Sequence, residues 1–133
     1  MIWGGPPTGR GIIPFMSYDL AVWEGDRPAD DAAAYQEFRR LYDRYIGSRD
    51  PQQPTPRIAA YVRALLDRYP DITSEAGEDS PWADGPLIND ASGPFLYFTM
   101  VYSKCDEASA WAAQVAQDRG LACYDPQIGQ LRP

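Results

Sequence analysis

The stretch "FLYFTMVY", residues 95–102, decides the fold. It is almost continuously apolar, rich in aromatic and β-branched types, and closed by "SGP" before it and Ser103 after it. A run this short reads as a strand rather than a helix. Apolar residues fall on both alternating faces, so the strand belongs in the middle of a sheet, covered on much of both sides. Downstream, Ser103 and Asp106 have the spacing of a capping pair and open a helix over about 104–118. Its stripe is Ala108, Trp111, Ala112 and Val115, and Gly120 supplies a left-handed stop. "LACYDP", 121–126, is a short last strand, and the tail after it has room for a final hairpin.

Upstream, "SYDLAVWE", 17–24, alternates: Tyr18, Leu20 and Val22 share one face, Asp19, Ala21 and Trp23 the other. A helix is expected from Asp31 to Ile46, with Asp30 and Asp31 at its positive end and Gly47 at its stop. A second opens with Thr55 as N-cap and Pro56 at the first helical position. Ile58, Tyr61, Val62, Leu65, Leu66 and Tyr69 then keep helical spacing until Pro70. Residues 71–94 are a long acidic connection holding one weak extended piece, "PLIND". The order β-α-α-(β)-β-α-β predicts an α+β two-layer sandwich. A mostly antiparallel sheet of three to five strands would be covered by three helices on one face.

Periodicity starts only at Met16. Residues 1–15 therefore read as an N-terminal extension outside the fold, Met16 as the start of translation, and 16–133 as one α+β domain. With 44% apolar and 23% charged residues, a 133-residue chain can bury a real core. The formal net charge of −7 argues against nucleic acid as a partner, because phosphate neutralisation needs clustered bases. It suits a basic protein partner instead. No apolar run is long enough to span a membrane.

The chain has no histidine, which removes imidazole bases, triads and the usual metal ligand. Neither a metal nor another cofactor is expected. Cys105 and Cys123 are too few for a disulfide framework or a thiolate zinc site and read as reduced and buried, which places the chain in the cytoplasm. Cys105, in the first turn of its helix, carries the alternative of a redox thiol. Two constellations remain. In "SEAGEDSPWADGP", 74–86, Trp82 stands among Glu75, Glu78, Asp79 and Asp84. A tryptophan inside a polar rim suits a partner's pocket, so these five residues are the candidate partner-binding set. The same loop equally fits a lid over a small ligand, or a segment that tucks Trp82 into the domain's own edge. Asp19, Glu24 and Asp125, on or beside strands, form the alternative ligand site, where paired carboxylates would do acid–base work.

The segments "MSYDLAVWEG", "PWADGPL" with "GPFLYFTMVYS", and "ACYDPQIGQLRP" resemble a group of small actinobacterial proteins. These begin with a Met-Ser-Tyr-Asp-Leu strand and end with a Tyr-Asp-Pro-Gln strand, and some are similar to immunity proteins that neutralise toxins between competing bacteria. The resemblance implies a non-enzymatic protein that neutralises a basic toxin. It carries no catalytic residues. The alternative is a small-molecule binding domain or a carboxylate-dependent enzyme, with its site between the sheet and loop 71–94.

Overall fold

A computed structural model describes residues 17–133. The expected extension over 1–15 and the start at Met16 lie outside the described residues. The chain is an α+β sandwich built on a five-stranded antiparallel sheet with three helices. The strands are β1 (Ser17–Trp23), β2 (Ala91–Ser92), β3 (Phe95–Val101), β4 (Ala122–Asp125) and β5 (Gln130–Leu131), in spatial order β2-β3-β1-β4-β5. The helices are α1 (Asp31–Tyr42), α2 (Pro56–Arg68) and α3 (Cys105–Asp118). The long pairing of β1 with β3, Ser17 opposite Val101 through Trp23 opposite Phe95, places "FLYFTMVY" inside the sheet as expected.

The helices do not share one face. Leu20, Val22, Leu96, Phe98 and Met100 pack with α2 and α3, whereas Ala21, Trp23, Phe95, Ala122 and Tyr124 pack with Ala34, Phe38 and Leu41 of α1. The physical reason is visible in the central strands: both parities of β1 and β3 are apolar, and each face needs its own cover. Ser103 is a second difference. Residues 102–104 form a 3-10 turn, and α3 starts at Cys105 with no side-chain cap. Third, "PLIND" is not extended: Leu87–Asp90 is a 3-10 turn, followed by the two-residue β2.

Other local signals hold. Thr55 Oγ1 accepts from Ile58 N–H at 3.2 Å, so the expected cap of α2 is made, and Asp30, expected only at the positive end of α1, caps it by accepting from Ala33 N–H at 2.8 Å. Gly120 takes φ +71°, ending α3 in the left-handed region. α1 stops at Tyr42 and runs on as a π-helical turn to Gly47. α3 meets the sheet and α2 mainly through Ala108, Ala112, Ala113 and Ala116, small side chains that allow close approach. Tyr61 of α2 spans the gap and donates to the Ala112 carbonyl at 2.8 Å.

Candidate functional site

Trp82 departs from the expected partner surface and follows the alternative weighed from the sequence, a ring tucked into the domain's own edge. The ring is wholly buried. Its indole N–H donates to the Tyr69 carbonyl at 2.7 Å, and it lies edge-on to Tyr69 and Phe98, with centroids at 5.8 Å in both pairs. The backbone explains why. β2 pairs only with Phe95 and Leu96, which leaves the rest of that edge of β3 open. Segment 81–83 fills the gap: Ala83 N–H donates to Thr99 O at 2.9 Å and Val101 N–H to Pro81 O at 2.7 Å. Trp82 stands opposite Met100 and turns into the core, where burying so large a ring contributes on the order of 2–3 kcal/mol. Trp82 therefore offers no surface to a partner. Gly77 makes the fold-back possible: a Cβ there would sit 1.8 Å from the Asp71 carbonyl oxygen.

The four acids of the loop do face solvent. Glu75, Glu78, Asp79 and Asp84 are all exposed. Lys104 reaches Asp79, its Nζ 3.1 Å from the carbonyl and 3.6 Å from the carboxylate. Glu75, Glu78 and Asp84 have no cationic partner among the described residues.

Asp19, Glu24 and Asp125 do not form one site. Glu24 follows β1 at its far end, accepts from the Thr55 hydroxyl and lies 3.8 Å from Arg57, so it pins the start of α2. Asp125 is fully buried and satisfied: it accepts from the Tyr18 hydroxyl and from Gln127 Nε2 at 2.7 Å, and Arg132 lies at 3.4 Å. Removing one partner of such a buried set leaves an uncompensated charge, so this carboxylate ties β1, β4 and the tail together. Gln127 also clamps the Asp19 backbone, accepting from its N–H at 2.5 Å and donating to its carbonyl at 2.8 Å. Yet alternation along β1 sends Tyr18 and Asp125 towards the α3 face and Asp19 towards the α1 face, where the Tyr97 hydroxyl donates to it at 2.5 Å. Two carboxylates on opposite faces of a sheet cannot meet one substrate.

Asp19 instead feels Asp84, an acid of the loop set, which in turn adjoins Asp90, an acid that the sequence reading left out. Burial raises the Asp19 pKa above the usual aspartate range, and the charges of Asp125 and Asp84 add to this. Its Oδ1 has no hydrogen-bond partner among the described residues. Asp84 in turn adjoins Asp90, whose pKa is pushed up to about 7 by burial first, then by Asp84 and Asp71. Asp71 Oδ1 accepts from Leu87 N–H at 2.7 Å. Asp90 escaped notice because "PLIND" reads locally as an extended piece. Only the fold-back carries it next to Asp84.

The thiols are enclosed. Cys105 and Cys123 are both buried and unpaired. Burial lifts Cys123 to about 12 and raises Cys105, the latter with help from Asp106. Both are expected to resist a thiol reagent until the protein unfolds, and rapid labelling of native Cys105 alone would restore the redox reading.

Two open clefts are found among the described residues. One of about 640 Å³ at the π-helical turn is lined by Arg40, Arg44, Tyr45, Asp50 and Gln52. Another of about 380 Å³ is lined by Tyr69, Asp79, Lys104 and Glu107. Among the described residues no three His, Cys, Asp or Glu side chains are grouped to hold a metal ion, and no helix is long and apolar enough to cross a membrane. No protein-family model, curated protein or solved structure gives a significant match to the chain.

Proposed function

We propose that this chain is a non-enzymatic binding protein that presents the carboxylates of loop 75–84 to a basic protein partner. One observation carries the reading: the loop is fastened by the buried Trp82, while Glu75, Glu78, Asp79 and Asp84 point outward. A fastened loop has little ordering entropy left to lose on binding. Exposed carboxylates without cations raise the local concentration of a basic partner and speed encounter. Trp82 contributes as the anchor of this surface rather than as a contact. The resemblance to immunity proteins supports a toxin as the partner and the cytoplasm as the place of action.

The second reading is a small-ligand or carboxylate site between the sheet and the loop. The observation that favours it is the neighbouring set Asp19, Asp84 and Asp90, two of which have raised pKa values.

The test uses basic proteins encoded beside this chain, purified and mixed with it in stopped flow. Neutralising Glu75, Glu78 and Asp79 to Gln, Gln and Asn should slow association roughly tenfold at low salt and flatten its salt dependence. Melting should not change, because all three side chains are exposed. An unchanged on-rate, or no binding by the wild type, would sink the proposal.

A further inference from the structure

β4 stops one rung short of the start of β1. The two strands pair at Ala21, Val22 and Trp23, opposite Tyr124, Cys123 and Ala122. Continued by two residues, that register would set Pro126 opposite Asp19. A proline has no N–H to give to the Asp19 carbonyl, and the chain turns away over 126–129. The missing rung is made by a side chain instead. Asp19 N–H donates to Gln127 Oε1 at 2.5 Å, and Gln127 Nε2 donates to the Asp19 carbonyl at 2.8 Å. These are the two bonds that a facing residue would exchange with Asp19 in an antiparallel ladder.

A carboxamide has two ends of similar shape and could enter such a place either way round. The buried Asp125 removes the choice. Its Oδ1 accepts from Gln127 Nε2 at 2.7 Å and from the Gln127 backbone N–H at 3.2 Å. A carboxylate offers only acceptors, so the NH2 end is drawn to it. With the amide reversed, its oxygen would face the Asp125 carboxylate and the Asp19 carbonyl, and its NH2 would face the Asp19 N–H. Asp125 is itself held by the Tyr18 hydroxyl, by Arg132 at 3.4 Å and by complete burial. On the opposite face of the sheet, the Asp19 carboxylate meets the Tyr97 hydroxyl at 2.5 Å.

We propose that Gln127 is a positioning residue that couples the two faces of the sheet. Aimed by Asp125 on the α3 face, its carboxamide replaces the strand that Pro126 ends and sets Asp19 for Tyr97 on the α1 face. The line of hydrogen bonds runs from Tyr18 through Asp125, Gln127 and Asp19 to Tyr97. Gln127 is exposed, so its part in this line lies in the direction of its amide rather than in burial. The coupling involves neither the acids of loop 75–84 nor a partner, and it stands apart from the proposed binding surface.

The experiment combines amide exchange by NMR with thermal melts of the whole chain. In Gln127→Ala the protection of the Asp19 amide should fall roughly tenfold, while Ala21, opposite Tyr124, keeps its own. The Asp19 carboxyl carbon should shift at the same time. Gln127→Glu has almost the native shape but sets acceptors against the Asp125 carboxylate and the Asp19 carbonyl. It should therefore melt below Gln127→Ala, an order that lost packing alone would reverse. Asp125→Asn added to Gln127→Glu supplies a donor facing the new carboxylate and should recover part of the lost melting temperature. Equal Asp19 protection in wild type and Gln127→Ala would overturn the proposal. So would a Gln127→Glu variant that melts at or above Gln127→Ala. Where Asp125→Asn prevents folding, the order of the two Gln127 variants still decides.

Discussion

Trp82→Ala is expected to destabilise the protein by about 3–5 kcal/mol, the range for truncating a buried aromatic ring. The side chain has no exposed surface to begin with, so the loss includes both its transfer free energy and the cavity left between Tyr69 and Phe98. The Tyr69 carbonyl also loses its indole donor. For a chain of this size the melting temperature should fall by more than ~10 °C. Trp82→Phe separates the two parts: it keeps most of the ring contact and loses only the hydrogen bond, at about 1–2 kcal/mol. Thermal melts by circular dichroism decide the matter. A Trp82→Ala variant that melts with the wild type and only loses partner affinity would mean that the ring is at the surface, contrary to the structure.

Leu65→Asp should have the larger effect and abolish the cooperative fold. Leu65 is fully enclosed in the cluster that joins α2 to the sheet, with Ile58, Tyr61 and Val62 on the same stripe. Losing the buried isobutyl group alone costs about 2–5 kcal/mol. Placing an unpaired carboxylate there adds several kcal/mol, part of which is avoided only if the group stays protonated. The total reaches the whole stability of an ordinary domain, about 5–15 kcal/mol. Near-UV circular dichroism at 25 °C should show no fixed aromatic packing. A cooperative melt within a few degrees of the wild type would place the α2 stripe on the wrong face.

These two residues differ in how far the sequence alone could place them. Leu65 was legible, because its partners on the stripe lie three and four residues away and a helix brings them together by geometry alone. The Thr55 cap, the Gly120 stop and the alternation of β1 were legible because they too are local patterns. Ser103 was misleading because the capping pattern specifies a spacing, whereas the chain leaving β3 makes a 3-10 turn before α3 begins. Trp82 had no local answer: neighbours of Ser, Gly, Pro and carboxylate suit a surface loop, and only the unfilled edge of β3, 18 residues further on at Met100, draws the ring inside. Of the candidate acids, Glu75, Glu78, Asp79 and Asp84 lie exposed in the loop, and their part in binding is the proposal made above. Asp19, Glu24 and Asp125 were not one site, since sequence proximity to strands does not say which face or which end a side chain occupies.

By itself, then, the sequence determined the α+β class, the starts of α1 and α2, the central strand and the acidity, all of which follow from periods of two and 3.6, from capping residues and from charge counting. The tertiary structure decided everything that depends on pairing across long separations. It split the helices between two faces, because the central strands are apolar on both. It made Trp82 an anchor, because an open sheet edge needed backbone partners and a large ring is most stable out of water.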